Sequence, residues 1–381
     1  MFINFWYPAI RSDELAAGKP LYRKMLGQDF VLFRDSKGAA HCLSNVCTHR
    51  GGFLANGKVK GDCIECPYHG WQFNGAGECE RIPSMGKDAK IPSRSRIDSY
   101  PVDERYGLVF AFLGDLPEAE RPPIMNIPEY GQEGWRATIQ YFEWDIDYKR
   151  SIENNIDPSH NEFVHDTHGF GGINEDYRVG DLDFRETTWG SGFYNKMFAP
   201  PLADEKMRNV SERQQNAFIE VGTGHYAANC IWTYIHPTDK IKIHQYAFEL
   251  PIDEDKTAIY LVNLRNFLTE PDGDERMIRR NEYVAFQDRD ILNMVRPVVT
   301  PRTNTKEVFV PADRPIARYR QFLGEWEARG WRVDVEKVKA TQSRVAYAIP
   351  SPERRRRKGW PIDAVPLVPA KALGEEMKAA E

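Results

Sequence analysis

The chain has 381 residues, of which 41% are hydrophobic and 28% charged. That composition supplies at least one large apolar core and excludes disorder along the whole length. The formal net charge of −5 gives no electrostatic case for nucleic acid or an anionic membrane surface as a partner, and no apolar run approaches the ~20 residues of a membrane span.

The first eight residues, Met-Phe-Ile-Asn-Phe-Trp-Tyr-Pro, lack the basic lead and cleavage site of a signal peptide, so a reducing cytoplasm is the expected location. Residues 1 to about 120 read as mostly β. Apolar runs at 30–33 and 40–43 flank Asp35-Ser36-Lys37-Gly38, a hairpin signal, and 71–73 leads into the turn Asn74-Gly75-Ala76-Gly77. Residues 106–113 predict a buried strand, and Arg121-Pro122-Pro123 a linker. From about 138 the pattern changes. Residues 143–165 mix apolar and polar positions at helical spacing, and strands are expected over 217–221, 227–235, 241–250 and 257–263. Long helices are expected over 274–295 and over 313–329, the latter with Asp313 as N-cap and Gly330 as stop. From Ser351 the chain reads as a solvated tail carrying the basic run Arg354-Arg355-Arg356-Arg357-Lys358. The whole reads as a small β domain followed by a larger α+β domain.

Five of the six cysteines (Cys42, Cys47, Cys63, Cys66, Cys79) are clustered near the N-terminus, which in a cytoplasmic protein points to metal before disulfides. Two fragments stand out. Cys47-Thr48-His49-Arg50-Gly51-Gly52 and Cys66-Pro67-Tyr68-His69-Gly70-Trp71 each place one thiolate and one imidazole at the tip of a turn. Two such loops can enclose tetrahedral zinc, or a 2Fe-2S cluster with both cysteines on one iron and both histidines on the other. The C-x-H spacing favours the cluster, because it directs its two side chains apart. Cys63-x-x-Cys66 is itself a zinc-like pair, whereas Cys42, Cys63 and Cys79 read as buried structural cysteines.

A second constellation is Asp157-x-x-His160-x4-His165. At about 100° per residue, Asn154, Asp157 and His160 share one helix face, while His165 falls about 140° round from His160. The two imidazoles can meet one ion only where the helix ends or kinks between them. Pro158 disfavours a regular helix here, Gly169 to Gly172 end it beyond, and His168 is a rival ligand.

The cysteine–histidine fragments resemble the Rieske iron–sulfur signature. With D-x-x-H-x4-H downstream, the chain resembles the Rieske non-haem iron oxygenases over about 1–350. The resemblance implies an all-β Rieske domain at 1–125, an α+β catalytic domain of helix-grip type (an antiparallel sheet flanked by helices) at 126–350, and a tail at 351–381. It implies that Cys47 and Cys66 bind one cluster iron and His49 and His69 the other. Neutral histidines raise the reduction potential relative to an all-cysteine cluster. It further implies that His160 and His165 bind a mononuclear Fe(II) together with an Asp of the late helix, here Asp288, with Asp290 as the alternative. Such a set leaves positions open for O2 and substrate. Glu153 and Asn154 match positions that orient ligands, and Asn293 stands where many relatives carry Glu. Asp157 matches a carboxylate that links a cluster histidine to an iron-ligand histidine (His69 and His160) across the subunits of a trimer.

No G-x-G-x-x-G follows a strand, so electrons from NAD(P)H are expected through a partner reductase or ferredoxin. The implied activity is that of a terminal oxygenase that hydroxylates or oxidatively demethylates an aromatic or other hydrophobic small molecule. Tyr226, Trp232, Tyr234 and Tyr246 are candidates for its pocket lining. The competing readings are a Rieske-type electron-transfer protein without oxygenase activity and a zinc-dependent binding protein.

Overall fold

The computed structural model describes residues 1–166, 175–199 and 217–371. Contacts divide the chain into two compact units: Met1–Ile124 with Leu250–Glu254 and Glu325–Glu381, and Met125–Glu249 with Asp255–Gly324.

The first unit is built on short strands: β1 (Phe5–Arg11), β2 (Leu21–Met25), β3 (Gln28–Arg34), β4 (Ala40–Ser44), β5 (Lys58–Lys60), β6 (Cys63–Glu65), β7 (Gln72–Asn74), β8 (Cys79–Arg81), β9 (Ser99–Tyr100), β10 (Val102–Arg105) and β11 (Leu108–Leu113). They form three small sheets, in the orders β1-β11-β10, β2-β3-β4-β9 and β5-β6-β7-β8. Every residue of β11 is buried, as its unbroken apolar run requires of a central strand. Ile64 and Phe73 of the third sheet pack with Val31, Phe33 and Leu43 of the second into one core, and that core includes Cys47, Cys66 and Cys79.

Two expectations are corrected here. Residues 325–350, expected in the catalytic domain, belong to the first unit, where Trp326 meets Phe2 and Phe5 edge to face. Nor are the described residues from Ser351 to 371 a solvated tail. Asp98, 1% exposed, accepts both the Ser351 hydroxyl (2.7 Å) and a two-pronged bond from Arg354 (2.7 Å each). Arg355 reaches Asp115 and Arg357 reaches Glu78. Trp360 lies between the Arg96 and Arg354 guanidinium groups. Apart from Glu353, which pairs with Arg357, the acids that order the basic run are distant in sequence, so local composition could not show them.

The second unit is a seven-stranded antiparallel sheet with helices. Its strands are β12 (Arg136–Trp144), β13 (Asp183–Thr187), β14 (Gly190–Ala199), β15 (Ala217–Tyr226), β16 (Cys230–His236), β17 (Ile243–Asp253) and β18 (Lys256–Arg265), in the order β12-β18-β17-β16-β15-β14-β13. The last four were foreseen within a few residues, whereas β12, β13 and β14 were not. The start of the expected helical stretch, 143–144, is the end of β12. The helices are α1 (Tyr148–Asn155), α2 (Asn161–Val164), α3 (Asp274–Leu292) and α4 (Arg314–Ala328). α3 lies on one face of the sheet. Met277 packs with Ile219, Val221, Ile235 and Ile243, and Leu292 with Phe142, Trp144 and Ile259. Asp313 accepts the Val310 N–H, and Gly330, at φ +75°, stops the chain beyond α4. No helix among the described residues is long and apolar enough to cross a membrane.

Asp98→Ala is expected to destabilise the protein by about 3–5 kcal/mol, because it leaves the Arg354 guanidinium enclosed without its counter-charge. Urea unfolding of the intact protein measures this. A loss below about 1 kcal/mol would mean that the 351–360 segment is not held by this pair.

Candidate metal centres

Two matching turns carry Cys47 and His49, and Cys66 and His69. In one, Gly51 N–H donates to Cys47 C=O and Cys47 N–H to Gly52 C=O. In the other, Gly70 N–H donates to Cys66 C=O and Cys66 N–H to Trp71 C=O. Gly51 and Gly70 close these turns at φ +68° and +70°, where a side chain would be strained. A Cβ on Gly52 would lie 2.8 Å from Cys66 Sγ, so the thiol needs a glycine beside it.

The result is two buried thiols, Cys47 and Cys66, and two exposed imidazoles, His49 and His69, whose Nδ1 atoms face each other at 3.1 Å. Trp71 stacks on His49, with ring centroids 4.7 Å apart. Burial pushes the Cys47 thiol up to about 12, so in this environment a thiolate needs a cation to form. Two soft sulfurs and two imidazoles fit a 2Fe-2S cluster of mixed ligation. The remaining cysteines of the group have other partners: Cys63 donates to Glu80 and Cys79 to the Arg81 carbonyl, while Cys42 is buried.

In the second unit α1 starts at its N-cap Asp147, which accepts from Lys149 N–H, and stops at Asn155. The Asp157 carboxylate then accepts the Ser159 N–H at 2.7 Å, and a new short helix, α2, begins after His160. α2 ends at Val164, so His165 sits in extended backbone at φ −104°, ψ 123°. Leaving the helix swings His165 back toward His160, and the ring centroids come to 5.3 Å.

Asp288 of α3 completes the group. Its Oδ1 is 3.2 Å from His165 Nε2 and 3.7 Å from His160 Nε2, and one donor atom from each of the three residues lies within 4.8 Å of the others. Both imidazoles are oriented from behind. His160 Nδ1 lies 2.7 Å from the Asp157 carbonyl and His165 Nδ1 3.0 Å from Gln287 Oε1. Protons on the Nδ1 atoms leave both Nε2 lone pairs aimed at one point. Burial acts to raise the Asp288 carboxyl, but the neighbouring His165 and His160 imidazoles and the Asn154 amide hold it below the ordinary range. Two imidazoles and one carboxylate on one side of a point are the donor set of a ferrous site with open positions.

The other predicted site residues divide. Asn154 donates to Asp288 Oδ1 at 2.9 Å, whereas Glu153 touches no ligand and instead forms a two-pronged pair with Arg320 at 2.7 Å. Asp157 meets His160 through its carbonyl, not its carboxylate. Asp290, 63% exposed, pairs with Arg289, and Asn293 caps α3. His168 lies outside the described residues. Gln287 was not singled out. It stands directly before Asp288, and its role follows only from the fold that brings His165 against α3.

A cavity of about 160 Å3 opens beside the three ligands, between the sheet and α3, and is walled by Phe142, Trp144, Ile231, Ile259 and Leu261. The four aromatic candidates do not line it. Side chains alternate along a strand, and the cavity takes Thr223, Ile231, Thr233, Gln245 and Ala247. Tyr226, Trp232, Tyr234 and Tyr246 therefore fall on the opposite parity. There Tyr246 donates to Glu129, and Trp232 fits over Gly192 and Gly224, whose Cβ atoms would come within 2.6 Å of it.

Comparison with known proteins places these features. Residues 5–101 match the family model of the Rieske [2Fe-2S] domain and residues 144–329 that of the vanillate O-demethylase oxygenase C-terminal domain. The chain is 36% identical over 168 residues to the iron–sulfur subunit of the toluene-4-sulfonate monooxygenase system of Comamonas testosteroni, covering 44% of this chain and 48% of that protein. It is 33% identical over 177 residues to the 3-chlorobenzoate-3,4-dioxygenase oxygenase subunit of the same organism, covering 45% and 39%. The chain thus spans about half the length of these relatives or less. Among solved structures, NdmA of Pseudomonas putida CBB5 with caffeine superposes with a TM-score of 0.70 at 24% identity, covering 86% of this chain and 91% of that one. At that identity the likeness is one of fold.

Gln287→Ala is expected to weaken ferrous-ion binding by about 10- to 100-fold, with Gln287→Glu restoring much of it. Dialysis of the iron-depleted protein against graded Fe(II) measures both. An unchanged affinity in the alanine variant would mean that the amide does not orient His165.

Proposed function

Because the chain belongs to the Rieske non-haem iron oxygenases, we propose that it is the terminal oxygenase component of a multicomponent system. It takes electrons from NAD(P)H through a partner reductase or ferredoxin, and uses O2 to hydroxylate or oxidatively demethylate an aromatic or other hydrophobic small molecule. The observation that carries this reading is the convergence of His160, His165 and Asp288 at the edge of a cavity with an apolar wall of Phe142, Trp144, Ile231, Ile259 and Leu261. A Rieske electron carrier has no use for either the triad or the cavity, so that alternative leaves the second unit without a role. The volume of about 160 Å3 is close to that in which an apolar cavity of ~150 Å3 takes up benzene, so it suits a single ring.

Cys47, His49, Cys66 and His69 hold the cluster, and His160, His165 and Asp288 hold the mononuclear iron. When bound, the cluster supplies one-electron reduction and the iron supplies activation of O2. The chain's own residues contribute orientation and exclusion of water. Asn154 fixes the Asp288 carboxylate, the Asp157 carbonyl and Gln287 fix the imidazole tautomers, and the apolar wall keeps the reacting face dry. The Asp157 carboxylate, engaged by a single N–H of Ser159, retains lone pairs for the partner subunit's His69 in a homotrimer. The expected compartment is the cytoplasm.

The test is product formation with a surrogate reductase, read together with iron content. Wild-type protein is expected to hold iron beyond that of the cluster and to give oxygenated product. His160→Ala is expected to lose that extra iron and the product while keeping the brown colour and the Rieske electron paramagnetic resonance signal. Unchanged iron and product in the variant would overturn the ligand assignment. Asp157→Asn is expected to keep all metal and lower coupled turnover by at least ~100-fold; near-full coupled turnover would exclude the carboxylate link.

A further inference from the structure

One basic residue stands on the wall of the cavity beside His160, His165 and Asp288 with no acidic partner among the described residues. Arg280 lies on α3 at the spacing 280, 284, 288, so it shares a helix face with Val284 and Asp288, and all three line the cavity. Two helical turns, about 12 Å of axial rise, separate its Cα from that of Asp288. Among the described residues Arg280 makes no ion pair and no hydrogen bond. Arg279 and Arg289 of the same helix pair instead on its surface, with Glu275 and Asp290.

The acids and amides of the same cavity are accounted for without it. Asp288 is taken up by Asn154, His165 and His160. Glu249 is fully enclosed and receives the Ser151 hydroxyl, and burial pushes its carboxyl up, toward the uncharged form. Asn281 donates to Gln140, and Gln245 donates to Asn263 and Asn281, so these amides bond one another and not Arg280. Burial with no facing carboxylate holds the Arg280 guanidinium below its ordinary value. Arg280 is only partly enclosed, and an anion entering beside it would supply the counter-charge it lacks among the described residues.

We propose that Arg280 is the residue that selects the substrate, and that the substrate is an aryl acid whose carboxylate meets Arg280 at the end of the molecule remote from the reacting atom. The guanidinium fork matches a carboxylate through two parallel N–H···O bonds, which fixes orientation as well as affinity. The apolar wall of Phe142, Ile231, Ile259 and Leu261 then holds the ring between that anchor and the metal ligands. The word substrate rests on the oxygenase reading; the binding claim does not.

The experiment uses the iron-loaded protein under anaerobic conditions and measures binding by calorimetry. The probes are 4-methoxybenzoate and 4-biphenylcarboxylate, each against its neutral primary amide. Wild-type protein is expected to bind at least one carboxylate about 10- to 100-fold more tightly than the matching amide. Arg280→Gln is expected to abolish that preference and leave amide affinity, iron content and melting temperature unchanged, and Arg280→Lys to keep part of it. Absence of any carboxylate preference in the wild type, or its survival in Arg280→Gln, overturns the assignment. The wild-type comparison decides even if a variant fails to fold. A protein that shows the preference but has no mononuclear iron and makes no product would refute the oxygenase reading alone. One that oxygenates neutral rings and ignores the charge would refute the Arg280 assignment alone.

Discussion

Two imidazoles five residues apart cannot face one ion from a regular helix, and the second unit depends on how the chain breaks that geometry. Pro158 cannot donate a backbone hydrogen bond, and Asp157 accepts the Ser159 N–H in place of a helical partner. α1 therefore ends at Asn155, and α2 carries only Asn161–Val164 between the two histidines. The break leaves the Asp157 carbonyl free of helical duty, and that oxygen takes the His160 Nδ1 proton. One local interruption thus does two things: it turns His165 back toward His160, and it sets the tautomer of His160.

A broken helix needs an external hold, and ion pairs within the same unit supply it. Glu153 on α1 pairs with Arg320 of α4, and Glu307 is shared between Arg150 and Arg320. Exchanging such enclosed pairs for apolar residues could be neutral for stability. Their directionality fixes the rotation of α1, however, and with it Asn154, whose amide must reach Asp288. Glu153 therefore acts on the metal site through the helix that carries it, which explains why it neighbours a ligand-orienting residue without touching a ligand.

The parts of this arrangement that are local in sequence were legible in it. The paired C-x-H and C-x-x-H turns, D-x-x-H-x4-H and the helix break at Pro158 all rest on spacings of a few residues. Asp288 was separable from Asp290 only by resemblance, and the geometry that distinguishes them, Asp288 facing the imidazoles and Asp290 facing Arg289, requires the placement of α3. What could not be read was decided over long range. β12 to β14 gain their stability from neighbours in the sheet. The basic run at 354–357 becomes structured through Asp98, Asp115 and Glu78. The aromatic residues chosen for the pocket were right in type and wrong in parity: a period of two names both faces of a strand equally well, and only the side on which α3 lies says which one is the cavity.

That parity separates the chemistry of the site from its selectivity. The triad and its orienting partners come from the stretch 154–165 and from one face of α3, while most of the cavity wall comes from alternate residues of β12, β15, β16, β17 and β18. Substitution at apolar wall positions such as Ile231 or Leu261 changes the shape offered to a substrate without touching His160, His165 or Asp288. α3 is the exception, because Asp288 and Arg280 share its inner face. Any shift of that helix moves Asp288 and Arg280 together, so the distance between the two is set by helical rise and not by loop conformation. A site built this way can vary its wall freely and still hold two charged points at a fixed separation.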